Sequence, residues 1–166
     1  MKTTSAVQER ARGKILAMYR ADSAPTPNEG EEGGREGMNV LIADDDSRFR
    51  DALKRAMETK RGFHVWEAQD GEEAVEFNRR LRPNLVLMDL SMPRINGLEA
   101  MQLIRAERPD VCIIACSVHD DLLYRRAAKN HGADAFVSKS RCYSRLDWVE
   151  NVAREAKPCA NQTAER

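Results

Sequence analysis

The sequence predicts an open, doubly wound α/β domain with helices on both faces of a five-stranded parallel sheet. Three observations predict it. From Met38 onward, short apolar runs alternate with amphipathic ones. Three of the apolar runs, VLIA, LVLM and VCIIAC, carry no polar alternation, the pattern of strands buried on both faces. The stretches between the runs are long enough for crossover helices, which join parallel strands with a right-handed turn.

The elements follow in order. Asn39 to Ala43 reads as the first strand, followed by a helix from Ser47 to Lys60 with Ser47 as its N-cap. The second strand is Phe63 to Ala68, and Asp70 with Glu73 makes a capping box for a helix reaching Arg80. Leu85 to Met88 is the third strand. Pro93 and Asn96-Gly97 mark a loop before a helix at Leu98 to Glu107, and Val111 to Cys116 is the fourth strand. Asp120 opens a helix that Gly132 ends, Ala135 to Val137 is the fifth strand, and a last helix runs from Tyr143 to Ala156. In that helix Cys142, Leu146, Val149 and Ala153 form the stripe that should face the sheet. Trp148 falls off the stripe, which makes it either a partner anchor or a ring lying flat along a neighbouring helix.

Ahead of this domain, residues 1–37 read as an extension and linker. Residues 21–37 are rich in Gly, Pro and Glu with almost nothing apolar to bury. Ser5 to Arg20 places Val7, Ala11, Ile15 and Met18 at helical spacing among basic residues, a short basic helix suited to docking or dimerising. Met38 is an alternative start. The domain is expected to span 38–157, with a polar tail at 158–166.

At 166 residues the chain has room for one ordinary domain with a tail. Lys+Arg and Asp+Glu are both 27, so no overall field draws the protein to nucleic acid or anionic lipid. Cys112, Cys116, Cys142 and Cys159 show neither disulfide-framework nor zinc spacing and read as small buried hydrophobes in a reducing compartment. No apolar run approaches the roughly 18 residues of a membrane span, so the expectation is a cytoplasmic protein without membrane contact. The sequon Asn161-Gln162-Thr163 has no meaning there.

The polar residues at the carboxyl ends of the strands carry the function, because ligands of such sheets bind at that edge. Strand one ends in Asp44-Asp45-Asp46, strand three in Asp89, strand four in Ser117, and strand five runs into Ser138-Lys139. Carboxylates crowded into one crevice resist joint ionisation unless a cation neutralises them. Mg²⁺ (or Mn²⁺) suits them, because it takes oxygen ligands and leaves room for phosphate.

These residues resemble the response-regulator receiver family, the chemotaxis-type fold. The matching stretches are LIADDD, LVLMDLSMPRINGLEAM, IIACSVHDD and GADAFVSK. The resemblance implies a flavodoxin-like strand order 2-1-3-4-5. By it, Asp89 is the phosphoacceptor, and Asp44, Asp45, Asp89 and the backbone carbonyl of Ser91 hold Mg²⁺. Lys139 and Ser117 bind the phosphoryl oxygens, and Phe136 is the aromatic whose orientation follows Ser117. The donor would be a histidine kinase or a histidine phosphotransfer protein, and the altered surface of the fourth helix, fifth strand and fifth helix would signal. The sequence departs from the family in Ser140 for Pro, Val118 for Ala, and Phe136 for Tyr.

Two rivals remain at this level. An aspartyl phosphohydrolase of the haloacid-dehalogenase type would use Asp44-x-Asp46, Ser117 and Lys139, but gives Asp89 no task. A receiver-like module that is never phosphorylated is the other. After Lys139 only a helix and a short tail remain, too little for a DNA-binding or catalytic output, so the effect should pass to another, unknown protein or a phosphorylation-dependent homodimer. His64, His119 and His131 read as surface or structural. Only His119 lies near enough to Ser117 to influence water attack on a phosphoryl group.

Overall fold

A computed structural model describes residues 37–60 and 62–156. The expected extension and linker up to residue 36, the basic helix at 5–20, and the tail with Cys159 and the sequon lie outside the described residues.

Strands β1 (Met38–Ala43), β2 (Phe63–Ala68), β3 (Leu85–Asp89), β4 (Cys112–Ser117) and β5 (Ala135–Ser138) pair in parallel in the order β2-β1-β3-β4-β5. This is the doubly wound α/β architecture that the sequence predicts. The central strands are the unbroken apolar runs: every residue of β3 and β4 is buried. The edge strands β2 and β5 are only half-buried, as solvent on one side demands.

Helices α1 (Ser47–Glu58), α2 (Gly71–Leu81), α3 (Gly97–Glu107), α4 (Leu122–Asn130) and α5 (Leu146–Glu155) cover the sheet. Alternate residues of the strands point to opposite faces. Val40, Ile42, Leu85, Leu87, Cys112 and Ile114 pack with Leu53 and Met57 of α1 and with Leu146, Val149 and Ala153 of α5. The expected stripe is confirmed, with Cys142 at 0% exposure. Trp148 is half-buried against this core, with the Arg145 guanidinium 5.9 Å from its ring centroid. The cysteines behave as small hydrophobes: Cys112, Cys116 and Cys142 are free and buried, and burial pushes the Cys112 thiol up to about 12.

Several boundaries differ from expectation. Asp46, not Ser47, caps α1, accepting from Arg48 N at 2.9 Å and Phe49 N at 3.4 Å. Asp121, not Asp120, caps α4, accepting from Leu123 N at 2.9 Å and Tyr124 N at 3.1 Å. In both cases a carboxylate beside the predicted cap is placed to accept from two orphan amides, and its charge complements the helix dipole. Asp70 caps α2 as expected, accepting from Glu73 N at 2.8 Å, and the Glu73 carboxylate reaches back to Gln69 N at 3.1 Å. The last helix is preceded by a helical turn at Lys139–Cys142 and a 3-10 turn at Tyr143–Arg145. Strands β3, β4 and β5 each run one residue further than expected, because Asp89 pairs with Cys116 and Ser117 with Ser138 in the ladder.

Candidate functional site

Three strand ends converge at the carboxyl edge. β1 and β3 are neighbours, with Ala43 opposite Met88, so the residues that follow, Asp44 and Asp89, emerge side by side. Both are buried, at 1% and 4% exposure. Lys139 arrives from beyond β4, and its ammonium stands 2.6 Å from Asp44 Oδ2 and donates to Asp89 Oδ2 at 3.1 Å. The Phe49 ring, its centroid 4.9 Å from Nζ, closes one side. Asp45 remains exposed, yet Asp44, Asp45 and Asp89 each present an oxygen within 4.8 Å of the others.

Local hydrogen bonds fix these carboxylates. Asp44 Oδ1 accepts from Asp46 N at 2.9 Å, while the Asp44 carbonyl accepts from the Arg50 guanidinium at 2.5 Å. Asp89 Oδ1 accepts from Ser91 N at 3.3 Å. Gly97 lets α3 begin directly against the Asp89 main chain: a Cβ there would stand 2.7 Å from the Asp89 carbonyl carbon and 2.9 Å from Leu90 Cα.

The electrostatics leave the site short of positive charge. Burial holds the Asp89 carboxyl above the usual carboxylate range and the Asp44 charge adds to this, with Lys139 pulling it back only in part. Burial likewise raises Asp44. Burial opposes the Lys139 ammonium too, but the approach of Asp44 and the charge of Asp89 outweigh it and keep its pKa above the ordinary value. Among the described residues, two buried carboxylates and Asp45 thus face a single ammonium. Asp44 Oδ2 has the Lys139 ammonium as its close partner, at 2.6 Å. That donor set, three convergent carboxylates of which two are buried, fits a hard divalent cation such as Mg²⁺.

The sequence-predicted residues divide into two groups. Asp44, Asp45, Asp89 and Lys139 come together. Ser117 is fully buried at the end of β4, and its Oγ accepts from His119 N at 3.1 Å. The His119 ring stacks on Tyr124, centroids 4.8 Å apart. Phe136 lies opposite Ala115, one alternation before the Ser117–Ser138 pair, and the Arg125 guanidinium stands 4.8 Å above its ring. Phe136 lines a groove of about 260 Å³ with Arg125, Arg141 and Arg145. Val118 is exposed. Sequence reasoning missed Arg50 and the close approach at Gly97, since neither belongs to a local pattern.

Comparison with known proteins agrees with this geometry. Residues 40–147 match the model of the response regulator receiver domain. The response regulator MprA of Mycobacterium leprae is 35% identical over 122 residues, covering 73% of this chain and 53% of its own. The transcriptional regulatory protein DegU of Brevibacillus brevis is 34% identical over 110 residues, covering 66% and 47%. The chain thus spans about half the length of these relatives. Among solved structures, the signal receiver domain of NarL from Mycobacterium tuberculosis superposes with a TM-score of 0.68 at 26% identity, over 72% of this chain and 98% of that one. A CheY-like receiver domain protein from Methanospirillum hungatei gives 0.67 at 25%, over 73% and 97%. Among the described residues no helix is long and apolar enough to cross a membrane. On the matched residues, the strand order and the acidic cluster beside Lys139, the chain belongs to the response regulator receiver domain family.

Proposed function

We propose that this chain is a cytoplasmic phosphoacceptor of a two-component relay, in which Asp89 takes a phosphoryl group from a phosphohistidine donor and the surface of α4, β5 and α5 carries the signal to a partner protein. The observation that supports this most is the Lys139 ammonium placed between Asp44 and Asp89. In the transfer, an Asp89 oxygen attacks phosphorus, the donor's N–P bond breaks, and the imidazole leaves. Little covalent chemistry is asked of the protein, so positioning and charge neutralisation dominate. Asp44, Asp45, Asp89 and the Ser91 carbonyl would hold Mg²⁺, which when bound supplies positive charge against the phosphoryl oxygens. Lys139 meets another of those oxygens, giving up one of its carboxylate contacts. Ser117 exchanges its bond to His119 N for donation to the phosphoryl group, and Phe136 follows.

The phosphohydrolase alternative leaves Asp89 idle, whereas Asp89 stands inside the cluster. It also needs a flap after β1, where only Asp44, Asp45 and Asp46 precede α1. The test is to incubate the chain with Mg²⁺ and a small acyl phosphate. One acid-stable, hydroxylamine-labile phosphoryl group should appear, as for a mixed anhydride, and Asp89→Asn should abolish it because an amide is not a competent nucleophile. Label retained in Asp89→Asn and lost in Asp44→Asn would move the acceptor to β1 and replace this reading. No label on the wild type would favour an unphosphorylated module.

A further inference from the structure

The loop from Leu90 to Asn96 carries Ser91 between Asp89 and α3. One end is closed by Gly97, whose N–H donates to the Leu90 carbonyl at 3.1 Å. The body of the loop is mostly exposed, and an untied exposed backbone keeps its conformational freedom. Something must hold it if Ser91 is to present its main chain in one posture.

Three features at the start of α2 do so. Arg94 sits in the left-handed region at φ 66°, sparsely populated for a residue with a Cβ and retained only where surroundings over-determine it. Its guanidinium pairs with the Asp70 carboxylate, which is 1% exposed although the arginine side chain is 57% exposed. The other Asp70 oxygen caps α2 through Glu73 N. Gly71 permits the approach, since a Cβ there would stand 2.9 Å from the Ile95 carbonyl carbon and 3.1 Å from the Ile95 Cβ. Ordinary exposed ion pairs contribute little. This one has a buried acid already oriented by a helix cap, and it coincides with a strained backbone and a steric notch.

We propose that Asp70 and Arg94 form a clamp that positions the Leu90–Asn96 loop, and with it the Ser91 main chain, for the metal site. They are positioning residues, acting through the loop. The proposal rests on the reading of Asp44, Asp45, Asp89 and Ser91 as a Mg²⁺ site.

The test is calorimetric titration of the full chain with Mg²⁺ alone, well below the melting temperature of each variant. Outer-shell groups that orient metal ligands typically affect affinity by 10–100-fold, so Arg94→Ala and Asp70→Asn should each weaken binding about tenfold. Asn still caps α2, so that variant isolates the charge. The double variant should be no weaker than either single one, and Arg94→Lys should recover part of the loss. Arg79→Ala, which breaks an exposed pair between α2 and Glu107 of α3, should leave the affinity unchanged. Wild-type binding with Arg94→Ala within about twofold of it, or additive losses in the double variant, overturns the clamp while the metal reading stands. A wild type that takes up no Mg²⁺ overturns both.

Discussion

Replacing Gly97 by Ala sets two effects of opposite sign against each other. Gly97 is the first residue of α3, and by helix propensity alone Ala should stabilise that helix by up to about 1 kcal/mol. The structure demands the opposite. The added Cβ would stand 0.7 Å inside the 3.4 Å at which ordinary contact with the Asp89 carbonyl carbon begins, and still nearer the carbonyl oxygen. The neighbours are backbone atoms of β3 and its following loop, so no side chain can swing aside. Overpacking a tight site costs about 1–3 kcal/mol, and a backbone clash belongs at the top of that range. The net expectation is a loss of about 2 kcal/mol, or roughly 8 °C in melting temperature for a domain of this size. Thermal unfolding by circular dichroism, with urea unfolding to check an unchanged slope, measures it. Because the strain falls on the Asp89 peptide, Mg²⁺ affinity should fall as well. A melting point equal to or above wild type would refute the reasoning.

Asp89 and Asp44 have folded-state pKa values raised by burial, so their contribution favours folding at low pH and is lost as pH rises through those values. Asp89→Asn should therefore stabilise the metal-free protein at pH 7 by about 1–2 kcal/mol, with Asp44 still partnering Lys139, and the gain should shrink towards pH 4; denaturant unfolding across that range would show it. Saturating Mg²⁺ should reverse the order, adding about 2.7 kcal/mol to the wild type at 100 times Kd and little to the variant. Leu53→Ala, at a fully buried position of α1 within the apolar core, should cost about 2–5 kcal/mol in urea unfolding and leave Mg²⁺ affinity unchanged.

The fold was legible because its central strands are buried on both faces and so appear as unbroken apolar runs, each ending abruptly in a polar residue. The same abruptness exposed Asp44, Asp89, Ser117 and Lys139, since few other positions combine an apolar strand with a terminal acid, hydroxyl or ammonium. What escaped depended on distance in space. Arg50 reaches the Asp44 carbonyl across a helical turn, Arg125 covers Phe136 from a different element, and Arg94 finds Asp70 across 24 residues. The caps escaped for a simpler reason: where two or three Asp residues stand in a row, sequence offers several equivalent acceptors, and only the chain's entry angle selects Asp46 and Asp121. The bond from His119 N to Ser117 Oγ is a local i, i+2 pattern typical of Ser, and was available to sequence reasoning.

The strand order also has a consequence for the newly made protein. Lys139 belongs to the far edge of the sheet and must pass over β4 to meet Asp89, 50 residues earlier, and Asp44 before that. Contacts between such distant parts of a chain form late. Until β5 docks, the pocket holds acids with no Lys139 ammonium to offset them. On the function proposed above, a nascent or partly assembled domain should therefore be inert towards a phosphodonor. On that reading competence would arrive with the last strand, so that only molecules that have finished folding would enter the signalling pool.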